Sequence, residues 1–100
     1  MNIIKYVEQL DKGRKYVIAN QLLKSGTSIG ANVREAQNSE SKADFIHKMK
    51  IAAKEADETE YWLLLCSKSD GYPDCINLFN SSTSIIKILS KIIASSKSKA

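Results

Sequence analysis

The sequence predicts an all-α protein, an antiparallel up-down-up-down four-helix bundle with a shortened first helix, filling residues 1–100 as a single domain. Three observations point there. One proline and four glycines leave too few turn residues for a β meander, in which every strand pair needs its own turn. Hydrophobic residues at 43% and charged residues at 26% match a chain that buries a core, and exclude a disordered or fibrous one. Apolar positions recur at three and four along nearly the whole chain, the period of an amphipathic helix.

The first helix is expected at about residues 2–11, where Ile3, Ile4, Val7 and Leu10 share a face and Asp11-Lys12-Gly13 supplies the break. The second spans about 14–36. Its stripe is Ile18, Leu22, Gly26, Ile29, Val33 and Ala36. The middle, Ser25-Gly26-Thr27-Ser28-Ile29-Gly30-Ala31, has loop propensity, because each glycine costs a helix roughly 1 kcal/mol relative to alanine. The stripe stays in phase on both sides, so we read one rod with a small-residue patch. The competing reading is a break near Gly26 that gives two shorter helices. In the continuous rod Gly26 and Gly30 are helix-packing positions that let a neighbour approach closely.

A third helix, about 42–68, opens with Ser41 as its cap and Asp44 three residues on. Its stripe is Phe45, Met49, Ala52, Ala56, Thr59 and Leu63. Pro73 closes the following turn. The fourth, about 75–95, starts from Asp74 and carries Leu78, Phe79, Ser82, Ile85, Ile86, Leu89, Ile92 and Ile93, with a frayed tail expected from Ser95. The first helix is too short to cover the groove between its longer partners. Apolar surface near Ile29, Val33 or the far end of the third helix is therefore expected to want a cover, and self-association is the expected consequence.

The net charge of +4 is unevenly placed: the first and last thirds are basic and the middle is acidic. Lys12, Arg14, Lys15, Lys24 and Arg34 are the candidate contacts for nucleic-acid phosphates, against the plainer reading of a solvated surface. Cys66 and Cys75 are too few for a disulfide framework and read as reduced thiols flanking a turn. No signal core or membrane span is present, so a cytoplasmic location without membrane partners is expected.

The residues of catalysis do not assemble. His47 is the lone histidine, and its partner in Asp44-x-x-His47 occurs once, whereas a di-iron bundle needs the motif twice. Cys66 lies near the opposite end of the third helix from His47, well over 20 Å away at about 1.5 Å per residue. Glu55, Asp57, Glu58 and Glu60 read as a solvated face. Tyr61, Trp62 and Tyr72 read as packing residues more than as a base-stacking platform. No catalytic residue, metal site or cofactor is expected, and the chain is read as no enzyme.

The run Gln21-Leu22-Leu23-Lys24-Ser25-Gly26-Thr27-Ser28-Ile29-Gly30-Ala31-Asn32-Val33-Arg34-Glu35-Ala36 resembles the signature of the small bundle proteins encoded within intervening sequences of bacterial 23S rRNA genes. The stretch from Lys42 to Leu63, with its lysine-acid-phenylalanine start and acidic-Thr-Glu end, is similar to that family's third helix. The resemblance covers about residues 14–93. It implies an antiparallel four-helix bundle that assembles into a ring, commonly a pentamer, with no enzymatic activity established for the family. It also implies kinship with the accessory protein of diversity-generating retroelements, a basic ring that holds nucleic acid and a reverse transcriptase. Asn32 and Glu35 match the family's Asn-x-x-Glu and are read as a buried or interfacial polar pair that fixes register. Two departures stand out: a first helix about ten residues shorter, and Ser84 where glutamate is common. The leading functional expectation is thus a homo-oligomeric ring that presents repeated basic residues to RNA or DNA. The alternative is an interaction scaffold whose exposed groove accepts a partner helix without nucleic acid.

Overall fold

The computed structural model describes residues 2–98 and forms four helices: α1 (Ile3–Lys12), α2 (Tyr16–Gln37), α3 (Lys42–Ser67) and α4 (Ile76–Ser98). They build an antiparallel rod of 49 × 19 × 16 Å, with no strand among the described residues.

The glycine-bearing stretch of α2 is helical throughout. Its polar side chains turn back onto their own helix: Thr27 donates to the Leu23 carbonyl at 2.6 Å, Ser28 to the Lys24 carbonyl at 2.7 Å and Asn32 Nδ2 to the Ser28 carbonyl at 2.8 Å. Residues that elsewhere compete with the backbone here complete the local hydrogen bonding. Ser41 caps α3 by accepting from the Asp44 N–H at 3.0 Å.

The α1–α2 turn departs from the expected form. Gly13 keeps φ −84, and Arg14 takes the left-handed conformation with φ 62. The Lys15 N–H donates to the Leu10 carbonyl at 2.8 Å and the Arg14 N–H to the Asp11 carbonyl at 3.0 Å. This is a Schellman motif with arginine at the site glycine normally occupies, and it moves the start of α2 from 14 to Tyr16. At the other end α4 runs on to Ser98, correcting the frayed tail expected from Ser95. Ser98 donates to the Ser95 carbonyl at 3.0 Å, and Lys97 in the last turn suits the negative end of the helix dipole.

Register is set by a few polar contacts. Between α2 and α3 the buried Ser25 and Thr59 hydroxyls lie 2.9 Å apart while Thr59 donates to its own Glu55 carbonyl at 2.8 Å, and Lys48 donates to Glu35 at 3.1 Å further along. Ala52 and Ala56, fully buried beside Thr59, let the two helices approach. Between α3 and α4 the Thr83 hydroxyl donates to Glu60 at 2.6 Å. Tyr6 ties α1 to the α3–α4 connection by donating to the Pro73 carbonyl at 2.8 Å.

The core divides in two. Near the α1–α2 turn, Ile3, Tyr6, Val7 and Leu10 of α1 close over Ala19, Leu22, Leu63, Cys66 and Cys75. Beyond Ile3 no fourth helix covers the core among the described residues. The remaining core is Ile29, Ala36, Met49, Ala52, Ala56 and Leu89, with Val33, Phe45, Ile85, Ile86 and Ile93 only half-buried. Of the expected α4 stripe only Ser82 and Leu89 are fully buried.

Candidate nucleic-acid interface

Lys12, Arg14 and Lys15 gather at one end of the rod because the Schellman turn folds the end of α1 onto the start of α2. Lys12 and Arg14 are exposed, and Lys15 places its ammonium 5.0 Å from the centre of the Tyr72 ring. Arg14, Lys15, Tyr16, Val17, Ile18 and Tyr72 line a shallow hollow of about 270 Å³ there. Tyr16 and Val17 are exposed, Val17 to 81%, so apolar surface sits directly beside the cations. The first turn of α2 contains no acid, and Lys15 makes no side-chain cap. This end therefore combines positive side chains with the positive pole of a helix.

Lys24 and Arg34 are exposed on the outward side of α2. They do not converge with the first three. The helix strings them along its length at intervals of about 15 Å, so the five candidates form a stripe and not a pocket. Glu55, Asp57, Glu58 and Glu60 cluster on α3, while Glu8 and Asp11 lie on α1 and Asp70 and Asp74 in the α3–α4 connection. Glu35 borders the stripe and is engaged by Lys48, whose ammonium it holds above the usual lysine range.

The small-residue positions differ from one another. A methyl group at Gly26 would lie 3.1 Å from Ile3 Cγ1, so this glycine admits α1. At Gly30 nothing lies within 4 Å. Asn32 is half-buried and bonded within its own helix, and Glu35 is exposed and paired to α3, so the two do not contact each other within the chain. The buried polar pair of the α2–α3 interface is Ser25 with Thr59. Trp62 packs half-buried against the near core, edge-on to Tyr61 at 5.3 Å.

One feature escaped the sequence reading. Lys97 comes close enough to Lys50 for the neighbouring charge to lower its pKa, adding a second positive pair at the far end. Antiparallel pairing about the 68–75 connection sets Lys97 about one turn from the position opposite Lys50 and was the available signal. The groove expected beside the shortened first helix takes the form of a trough. Leu78 and Ser81 face α1 across a cleft that Tyr6 and Gln9 also line. At helical spacing Ile85, Ile88 and Ile92 continue that line past the end of α1, and Ile88 is 56% exposed. On α2, Gly30 and Val33 continue the face on which Gly26 meets Ile3.

Among the described residues no three His, Cys, Asp or Glu side chains are grouped to hold a metal ion, and no helix is long and apolar enough to cross a membrane.

Comparison with known proteins agrees with this architecture. No curated protein matches the chain. A crystal structure at 1.70 Å of a protein of unknown function from the S23 ribosomal protein family of Bacteroides thetaiotaomicron is 46% identical, with a TM-score of 0.86, covering 91% of this chain and 87% of that one. The model of the 23S rRNA-intervening sequence protein matches residues 1–94. With four antiparallel helices, a helical glycine patch in α2 and that match over nearly its whole length, the chain belongs to the 23S rRNA-intervening sequence protein family.

Proposed function

We propose that this protein is a non-enzymatic building block that self-associates into a ring, and that the ring presents its repeated basic stripes to RNA or DNA. The observation that carries the nucleic-acid half is the segregation of charge: Lys12, Arg14, Lys15, Lys24 and Arg34 lie along α2 and its leading turn, while Glu55, Asp57, Glu58 and Glu60 lie on α3. One copy offers few phosphate contacts. Repetition around an axis multiplies them, and affinity rises with the number of phosphates neutralised.

The trough supports the ring. α4, which walls it, carries Lys87 and Lys91 and no acid, whereas α3 gathers four acids between Glu55 and Glu60. A trough on one copy and an acidic helix on the next are different surfaces that complement each other, and such head-to-tail contacts close into rings when the rotation permits. The family resemblance makes five copies the expected number. The same trough favours a second reading, in which a helix from another protein lies in it and nucleic acid plays no part.

Electrophoretic mobility shift with RNA and DNA across a salt series tests the proposal. Binding at low salt that falls as a power of salt concentration is expected, with each charge removed from the stripe lowering the slope by about one. Arg14→Glu with Lys24→Glu should abolish the shift and leave the assembly intact. Absence of binding at low salt, or binding indifferent to salt, refutes the nucleic-acid half. Retention of a protein partner after nuclease treatment of the extract, with no shift, establishes the scaffold reading in its place.

A further inference from the structure

Two nucleophilic side chains have no part in the stripe or the trough. Cys66 in the last turn of α3 and Cys75 just before α4 are both free, with exposures of 2% and 3%. The Cys75 thiol donates to the Leu63 carbonyl at 3.3 Å. That carbonyl belongs to the turn of α3 that carries Cys66, so the Cys75 sulfur is seated on its partner's own turn. Tyr6, whose hydroxyl donates to the Pro73 carbonyl, packs in the same buried core cluster as both cysteines. The two cysteines thus share one buried cluster, and both line a cleft of about 360 Å³ bounded by Leu64, Tyr72, Pro73 and Phe79.

We infer that Cys66 and Cys75 are a latent disulfide site, which a hydroperoxide entering by this cleft converts to an intramolecular bridge strapping the end of α3 to the start of α4. One thiolate attacks the peroxide, the O–O bond breaks, the sulfur becomes a sulfenic acid and the hydroperoxide is reduced to water or an alcohol. The second sulfur then attacks the sulfenic sulfur, the S–O bond breaks, and the S–S bond forms with release of water. Each bridge consumes one hydroperoxide, and the thiols together give up two electrons and two protons.

The surroundings set when this happens. Burial pushes both thiols above the usual cysteine range, and the neighbouring Tyr6 hydroxyl offsets this only in part. Little thiolate is present at neutral pH, and the resting pair stays reduced. The connecting residues 68–75 include Gly71 at φ 80 and no regular helix, so they have the freedom to bring the sulfurs to bonding distance. Tyr72, whose ring lies under Lys15, falls inside the segment the bridge closes.

Hydrogen peroxide added to the reduced full-length chain at pH 7 and pH 9, followed by alkylation and non-reducing peptide mapping, tests the inference. A Cys66–Cys75 linked peptide within one chain is expected, with a mass loss of about 2 Da. The bridge forms faster at pH 9. Tm rises on the order of 10 °C, as closing a loop of about ten residues implies, and dithiothreitol reverses the rise. Cys66→Ala and, in the less regular segment, Cys75→Ala each remove the rise. Bridges found only between chains, or thiols that remain free under conditions that link them in the urea-unfolded chain, overturn the inference.

Discussion

Leu22 and Val33 lie three turns apart on one face of α2 and meet different neighbours. Leu22 is fully buried, enclosed by α1 as well as α3. Val33 looks past the end of α1 into the trough and is half-buried, although its helix and α3 continue unchanged. The difference comes from one short element. Where α1 is present the bundle closes into a core of side chains with almost no exposure; where it is absent the same stripe on α2, α3 and α4 keeps its pattern and loses its cover. A helix's buried face is therefore a property of its neighbours as much as of its own sequence.

The largest test of this contrast is core truncation. In the unassembled chain Leu22→Ala should cost about 3–4 kcal/mol, through lost transfer energy and a cavity that α1 and α3 hold open. Val33→Ala should cost about 1 kcal/mol, because its site is already wet. Urea unfolding at dilution reads both, and equal costs would show the far half to be closed.

Next comes the polar link shared by the two halves. Thr59→Val strands the buried Ser25 hydroxyl without a partner and should cost about 2 kcal/mol, whereas adding Ser25→Ala should restore much of the loss. A double variant no better than the single would mean that the pair does not act as a unit.

The glycines sharpen the comparison further. Alanine is favoured over glycine in a helix by about 1 kcal/mol, and Gly30→Ala should deliver that gain in thermal unfolding of the single chain, since its surroundings are open. Gly26→Ala meets Ile3 and should yield no gain or a loss. The smallest effect expected is at the turn. Arg14→Gly relieves a left-handed φ and should stabilise by less than about 1 kcal/mol, because glycine also loosens the unfolded chain.

The fold was largely legible because periodicity survives where propensity fails. The stripe through Gly26 and Ile29 stayed in phase, and the structure shows why the local composition is harmless: Thr27, Ser28 and Asn32 bond their own helix. What periodicity does not encode is which residues on a stripe find a partner. Thr59 looked like one more core position, yet its hydroxyl meets Ser25; Gly26 and Gly30 looked alike and differ by the presence of Ile3. The Arg14 conformation was hidden because Gly13, the residue best suited to it, lies one position earlier. The basic residues were visible one by one, but their arrangement as a stripe depends on how the α1–α2 turn closes.

Sedimentation of the purified chain in dilute solution tests most directly whether the uncovered half drives assembly. We expect a particle several times the 11.1 kDa of one chain, reduced to a single folded chain by Ile88→Lys in the trough. A wild-type protein that sediments as one 11.1 kDa particle contradicts this.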